Sequence, residues 1–363
     1  VGNSFLCSRQ RVPSVTLLCM EVGNLIKQVL EGEDLDESQA YALMHAIMGG
    51  QLTPVQVSGI LMTMRTRGET LDEIVGFARA MREHAVRVTV NRPDLLDTCG
   101  TGGDRLKTWN LSTAAAFVVA GAGIPVAKHG NRAVSSRCGS ADVLEALGAN
   151  LNLTPEQIAH GIETVGVGFL FAPIHHPAMK HVAPIRRELG VRTVFNLLGP
   201  LTNPANARRQ MLGVFDWQWL MILAEALARL GSERACIVHG VDGLDEVSPI
   251  GETVVTHLKP DGTLESFEFS PHDLGVAPVR VEALVPGETP EENAHCLRVA
   301  LAGENEERMR ALLPNAGVAL WIAGRTNDLR EGVHLAQRVI ETGRALEVLE
   351  DYIAFTRSFE SVG

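Results

Sequence analysis

A change in hydrophobic pattern near residue 95 constrains the fold of this 363-residue chain more than any other feature. Residues 21–90 carry apolar side chains at helical spacing, whereas the rest alternates short apolar runs with helical segments. Strands that alternate with helices are typical of a mostly parallel sheet covered by helices. The expected fold class is α/β, with a small all-helical N-terminal domain ahead of a large α/β domain that has a mostly parallel central sheet.

Local start signals define the individual elements. Asp36 with Gln39, Thr53 before a proline, and Thr70 with Glu73 each predict a helix start in the N-terminal region. Further along, the pattern predicts strands at 95–99, 124–128 and 234–239, and a hairpin of 254–258 with 264–269. It also predicts helices at 112–122, 141–147, from 155, at 291–302 and at 316–323, and one last helix after residue 328.

These elements predict the domain organisation. Residues 1–19 do not continue the helical pattern and are expected to be a disordered extension or a cloning remnant. The helical domain is expected at 20–92, with a segment near 176–204 returning to it. The α/β domain is expected at 93–363, with a hinge near Arg92-Pro93 that lets the helical domain close over the site.

Composition excludes several classes of protein. Acidic residues outnumber basic ones by 43 to 32, which gives a net charge of −11 and disfavours binding to nucleic acid or anionic membranes. The apolar stretch 114–127 is shorter than the ~20 residues of a membrane helix. The six cysteines show no C-x-x-C pair or zinc-like spacing, as expected for free thiols in the cytoplasm.

Three segments have a composition that suits the binding of phosphate. Residues 100–104 read Gly-Thr-Gly-Gly-Asp after a predicted strand, and glycines let backbone amides approach an anion closely. Residues 110–113 place an amide and two hydroxyls at a helix start, which is a capping signature and an anion site. Residues 128–132 then place two cations around a glycine, with serines following, which suits a second phosphate. Together they predict a ligand with two phosphate-bearing ends.

Asp245 and Glu246 form an acidic pair in the loop after the strand 234–239. Paired carboxylates on an irregular loop suit a hard cation such as Mg²⁺, which bridges and screens a diphosphate. An isolated pair of this kind is more often a solvated surface feature. The phosphate loops upstream favour the metal site.

These segments, with residues 194–204 and 239–246, resemble the anthranilate phosphoribosyltransferases of tryptophan biosynthesis from about residue 21 to the C-terminus. The resemblance implies the substrates 5-phosphoribosyl 1-diphosphate (PRPP) and anthranilate, Mg²⁺ with two ions per active site, and a homodimer formed through the helical domain. It implies metal ligation by Ser112, Asp245 and Glu246, and contact with anthranilate by Gly100, Asn131 and Arg186. The implied donor-binding residues are Gly100, Gly103, Asp104, Thr108, Asn110, Leu111, Ser112, Thr113, Lys128, His129, Gly130, Asn131, Arg132, Ala133, Val134, Ser135, Ser136 and Ser140.

Two roles and two functions stay open at this stage. His129 either donates to the acceptor or fixes its own loop, while His175 and His176 are expected to shape the acceptor entrance. A pyrimidine nucleoside phosphorylase shares this architecture and a glycine-rich phosphate loop, but it would not need the acidic pair at 245–246. A non-catalytic relative that binds nucleic acid would need a strongly basic face, which the net charge disfavours.

Overall fold

The computed structural model describes residues 15–103, 106–133 and 138–360. Residues 1–14 of the expected extension, and the expected donor-binding residues Asp104, Val134, Ser135 and Ser136, lie outside the described residues. The first helix begins at Val15, five residues before the expected start of the helical domain. No glycine or proline interrupts residues 15–22, so the backbone hydrogen bonds of the helix continue through them.

Four helices form the N-terminal bundle: α1 Val15–Leu30, α2 Glu37–Met48, α3 Pro54–Arg67 and α4 Leu71–Glu83. The three start signals are confirmed, because Asp36, Thr53 and Thr70 each cap a helix by accepting a bond from the backbone N–H three residues on. Glu73 of α4 is fully buried and pairs with Arg67 at 2.5 Å. The described part of the bundle therefore combines a core rich in Met and Leu with an internal ion pair.

The α/β part carries the remaining helices. They are α5 Leu111–Gly121, α6 Ser140–Ala146, α7 Pro155–Thr164, α8 Ala172–His175, α9 Ala183–Leu189, α10 Phe195–Leu198, α11 Trp219–Arg229, α12 Pro290–Leu301, α13 Glu306–Ile322, α14 Leu329–Glu341 and α15 Arg344–Arg357. Short 3₁₀ helices span Pro177–His181, Gly199–Thr202 and Val281–Leu284. Helix α9 contacts α3, and α10 contacts α4, so the chain returns to the helical bundle between the strands.

Seven strands form one sheet in the order β3-β2-β1-β4-β5-β6-β7. The first five are parallel, and β6 and β7 form an antiparallel hairpin at one edge. The chain builds outward from β1 to β3 and then restarts beside β1 with β4, which makes the β1/β4 boundary the topological switch point. The strands are β1 Leu96–Gly100, β2 Val126–Gly130, β3 Val167–Phe171, β4 Arg209–Gly213, β5 Arg234–Gly240, β6 Thr253–Leu258 and β7 Leu264–Phe269.

The observed sheet confirms the expected fold class and the predicted hairpin. The sequence interpretation was wrong about several elements, since it did not identify β3, β4 or α11 and expected one helix where α14 and α15 follow each other. It also started α13 ten residues late, at residue 316. Pro314 lies inside α13, which begins at an Asn305 cap.

Among the described residues, no helix has both the length and the apolar content to cross a bilayer.

Candidate active site

Four of the parallel strands end in a glycine: Gly100 on β1, Gly130 on β2, Gly213 on β4 and Gly240 on β5. Because the strands are parallel, these glycines lie along one edge of the sheet. Ligands of open parallel sheets bind outside this carboxyl edge, beside the switch point. The missing side chains leave room there for a loop to pass directly over the strand ends.

Asp245 occupies that room. A Cβ placed on Gly100 would lie 2.5 Å from Asp245 Oδ2, and one on Gly213 would overlap the backbone carbonyl of Asp245. The carboxylate accepts a hydrogen bond from the backbone N–H of Gly102 at 2.7 Å. Asp245 is thus buried over the ends of β1 and β4, with its carboxylate against the glycine-rich loop.

Glu246 lies at the N-terminus of α5. Its Oε1 accepts a bond from the backbone N–H of Ser112 at 3.2 Å, where the helix dipole favours negative charge. The expected side-chain cap is wrong, because Asn110 is the N-cap residue but makes no capping bond. Its amide nitrogen donates instead to the Cys138 carbonyl at 3.2 Å. The amides at the start of α5 therefore face the carboxylate loop.

Lys128, near the carboxyl end of β2, contacts the residues around Asp245 and Glu246. Its buried Nζ donates to the Thr98 carbonyl at 2.5 Å and lies 3.4 Å from Ser112 Oγ. Burial lowers the pKa of Lys128, while attraction to the nearby Asp97 opposes that shift. The structure thus brings together Gly100, Ser112, Lys128, Asp245 and Glu246, which were singled out from separate parts of the sequence.

Sequence reasoning missed Asp97 and Gln210, which lie behind these residues. Asp97 is completely buried and accepts bonds from the backbone N–H of His129 at 3.2 Å, from Asn203 Nδ2 at 2.9 Å and from Gln210 Nε2 at 3.3 Å. Burial raises the pKa of Asp97, and the charge of Lys128 counteracts part of that rise. A charged residue directly after two leucines in a short predicted strand was the available signal.

Arg132, one of the expected donor-binding residues, pairs with acidic side chains of α6. Its guanidinium pairs with Glu145 and, at 3.2 Å, with Asp142, and it lies 5.3 Å from the centre of the Phe171 ring. Two carboxylates on α6 were close enough in sequence to compete for it. Asp142 Oδ2 also accepts bonds from the backbone N–H groups of Ala133 and Gly139, in the segment before α6, at 2.9 and 2.8 Å.

The remaining expected donor residues lie around the same edge. The backbone carbonyl of Asn131 accepts a bond from Ser140 Oγ at 3.3 Å, so these two residues hold the loop after β2 to the start of α6. Leu111 is fully buried in the core, which leaves only its backbone for a ligand. Thr113 is also buried, and its hydroxyl has no hydrogen-bond partner among the described residues. Thr108 is half-buried in the loop before α5.

Three histidines form a buried group beside the loop after β2. The rings of His129 and His176 are 5.1 Å apart between centres, and Nδ1 of His175 lies 2.9 Å from the Val86 carbonyl. Burial, reinforced by neighbouring imidazoles, places the pKa of His129 well below its usual value and that of His176 at about 4. These rings are therefore neutral at pH 7 and can serve as hydrogen-bonding groups but not as cations.

Arg186 lies on α9, on the side of the helical bundle. Its guanidinium is 5.4 Å from the centre of the Phe195 ring, and burial lowers its pKa. Arg186 forms no ion pair with an acidic side chain among the described residues. A half-buried guanidinium above an aromatic ring is suited to a planar carboxylate.

Comparison with known proteins identifies the family. Residues 92–346 match the model of the glycosyl transferase family, a/b domain, and residues 24–85 match its helical bundle domain. Anthranilate phosphoribosyltransferase of Symbiobacterium thermophilum is 52% identical over 92% of this chain and 97% of that protein. The chain belongs to the anthranilate phosphoribosyltransferase family.

Solved structures of the anthranilate phosphoribosyltransferase family share the fold. The enzyme from Thermus thermophilus is 49% identical and has a TM-score of 0.87, over 92% of this chain and 99% of its own. The enzyme from Saccharomyces cerevisiae, in complex with PRPP and Mg, is 29% identical and has a TM-score of 0.85, over 95% and 99% of the two chains. The resemblance read from the sequence and the expected two-part fold are both confirmed.

Proposed function

We propose that this chain transfers the phosphoribosyl group of PRPP to the amine of anthranilate, giving N-(5-phosphoribosyl)anthranilate and diphosphate in tryptophan biosynthesis. The observation that carries the proposal is the meeting of Asp245 and Glu246 with the glycine-rich loop and the start of α5 at the switch point. Membership in the anthranilate phosphoribosyltransferase family supports the same function.

The donor would bind along the carboxyl edge of the sheet. Glycines at the strand ends allow close approach of phosphate oxygens, and the backbone N–H groups at the start of α5 face the same space. Lys128 supplies a buried positive charge beside Ser112. We keep the donor-binding assignments made from the sequence, except that Arg132 would first have to leave its two acidic partners.

Magnesium fits the oxygen atoms that meet there. Ser112, Asp245 and Glu246 offer one hydroxyl and two carboxylates, and Mg²⁺ is usually held by one or two carboxylates together with substrate phosphates. The number of ions, two per site, is proposed from the resemblance to the family alone. When bound, Mg²⁺ would stabilise the negative charge that builds on the leaving diphosphate.

The protein's own groups account for the rest of the reaction. The amine of anthranilate is already a nucleophile, so the site needs no activating triad. Backbone N–H groups hold the diphosphate while the bond from ribose C1 to the diphosphate oxygen breaks and the amine nitrogen bonds to C1. The nitrogen then releases one proton to water, which gives the neutral product. Holding amine and C1 in line contributes several kcal/mol, since well-oriented reactants gain roughly 7–11 kcal/mol. The neutral rings of His129 and His176 can hold the acceptor without adding charge.

The two alternative functions are less well supported. The relatives described above are anthranilate phosphoribosyltransferases, and a nucleoside phosphorylase gives no reason for two carboxylates at the phosphate loop. A nucleic-acid-binding role is disfavoured by the net charge of −11.

We further propose that the enzyme works in the cytoplasm and that its domains divide near residue 92, with residues 176–204 belonging to the helical domain.

A homodimer formed through the helical domain is also proposed. Leu30 of α1 and Val55 and Met62 of α3 are apolar yet 53%, 82% and 36% exposed. Val55 and Met62 lie two turns apart on one face of α3, and a Cβ placed on Gly59 between them would lie 3.4 Å from Leu30 Cδ2. A contiguous apolar patch of this kind usually marks association.

The assigned reaction is tested by the fluorescence of anthranilate. The wild-type chain should consume anthranilate only when PRPP and Mg²⁺ are both present, and Asp245→Asn with Glu246→Gln should lower turnover by at least about a hundredfold, because preorganised charge-stabilising groups are worth that much. Glu350→Gln with Asp351→Asn removes an exposed acidic pair on α15 and serves as the matched control. Unchanged anthranilate with folded wild-type protein would refute the assignment, and normal turnover of the 245/246 variant would refute the metal site.

Arg186 separates acceptor recognition from donor binding. Arg186→Ala should raise the KM for anthranilate about tenfold or more, since hydrogen bonds to charged groups are worth about 1.5–3 kcal/mol, while the KM for PRPP should change little. Arg187→Ala, on the adjacent exposed residue, should leave both constants unchanged. Equal shifts in both constants, or none in either, would show that Arg186 does not bind the acceptor's carboxylate.

Light scattering tests the dimer. The wild-type chain should have the mass of a dimer at micromolar concentration, and Val55→Glu with Met62→Glu should give a monomer because buried unpaired charges oppose association. Val281→Glu places the same charge on an exposed apolar residue outside the α1/α3 patch and should leave the dimer intact. A wild-type monomer throughout the micromolar range would contradict the proposal.

A further inference from the structure

Arg192 links the helical domain to the glycine-rich loop. It lies between α9 and α10, and its backbone carbonyl accepts a bond from the Arg65 side chain of α3. Its guanidinium donates to the Gly103 carbonyl and stacks on the Phe215 ring, 4.0 Å from the ring centre. The backbone of Arg192 is thus fixed by the helical domain, while its side chain contacts two loops of the α/β domain.

The glycine-rich loop needs such contacts because its glycines give the backbone a large conformational freedom that must be restricted. Gly102 and Gly103 have φ values of +69° and +83°, and glycine loses more conformational entropy on ordering than any other residue. The start of the loop is held by the α/β domain, since Thr101 N–H donates to the Gly213 carbonyl at 2.9 Å and Gly102 N–H donates to Asp245. At Gly103 the described contact is with Arg192.

Packing at Gly103 points to a specific fit. A Cβ on Gly103 would overlap the guanidinium of Arg192, so the absence of a side chain there serves this contact as well as the backbone conformation. Phe215 belongs to the same arrangement, because its backbone N–H donates to Thr101 Oγ1 at 3.2 Å. A planar guanidinium can stack on the ring and donate to the carbonyl at once, whereas a lysine ammonium cannot reproduce that geometry.

We infer that Arg192 is a positioning residue that orders the Gly103 end of the donor loop when the helical domain is seated on the α/β domain. This inference rests on the proposed function. Loss of Arg192 leaves the PRPP phosphates to order the loop themselves, which weakens donor binding. Anthranilate contacts are expected elsewhere, so the acceptor is affected far less.

The kinetic test uses Arg192→Ala, Arg192→Lys, Phe215→Leu and the double variant Arg192→Ala/Phe215→Leu, with Arg187→Ala as the matched control. We expect Arg192→Ala to raise the KM for PRPP about tenfold and that for anthranilate less than about twofold, and Arg192→Lys to remain impaired. The double variant should have about the same KM for PRPP as Arg192→Ala, because both substitutions remove the same contact between Arg192 and Phe215. Millimolar guanidinium should restore part of the affinity of Arg192→Ala. Unchanged KM for PRPP, or equal increases for both substrates, would overturn the inference.

A second measurement does not depend on activity. Hydrogen–deuterium exchange of peptides covering residues 98–103 should be faster in Arg192→Ala than in the wild type and unchanged in Arg187→Ala. Unchanged exchange in Arg192→Ala would overturn the inference. If the wild-type chain failed to consume anthranilate, the proposed function would be refuted, whereas faster exchange would still support the contact that orders the loop.

Discussion

The candidate site depends on the close packing of Asp245 against two glycines. Gly100 ends β1 and Gly213 ends β4, the two neighbouring strands at the switch point, and any side chain on either would displace Asp245. This packing places the loop 241–248 directly above the sheet edge. It brings the Asp245 carboxylate to the backbone of Gly102 and the Glu246 carboxylate to the start of α5. The glycine-rich loop, the N-terminus of α5 and the acidic pair meet for this one steric reason.

The charged side chains of the candidate site are buried and are compensated by neighbouring groups. Asp245 and Glu246 are buried, as are Lys128 and Asp97, and a buried charge is costly unless hydrogen bonds and opposite charges compensate it. Backbone N–H groups provide part of that compensation for the two loop carboxylates, and Asp97 provides it for Lys128. The site is therefore organised before a ligand binds, which reduces the reorganisation that binding and reaction require.

Local signals were enough to predict much of this arrangement. The capping residues Asp36, Thr53 and Thr70 located three helices, because a helix start depends on neighbours three residues away. The glycine-rich loop and the acidic pair at 245–246 were identified because each is contiguous in sequence and chemically unusual. The strands β3 and β4 escaped notice for different reasons. β3 is a five-residue apolar run, which does not distinguish a buried strand from a buried helix segment, whereas β4 has only two large apolar side chains, Met211 and Leu212.

Long-range partners could not be predicted in the same way. Arg132 was assigned to a phosphate from its neighbours in the loop, but its partners Glu145 and Asp142 become available only when α6 folds back on that loop. Arg192 reaches Gly103 and Phe215 across the junction with the helical domain, a contact that no local spacing encodes. The Asp97 carboxylate accepts hydrogen bonds from Asn203 and Gln210, which are more than 100 residues away in sequence.

The central claim is that the loop held over Gly100 and Gly213 forms a magnesium-dependent diphosphate site. Titration calorimetry of PRPP into the wild-type chain, with Mg²⁺ and with a chelator, tests it most directly because binding is measured without turnover. The account predicts affinity at least about tenfold higher with Mg²⁺, a difference of about 1.4 kcal/mol, and little difference in the variant Asp245→Asn with Glu246→Gln. Equal affinity of the wild-type chain with and without Mg²⁺ would contradict the account.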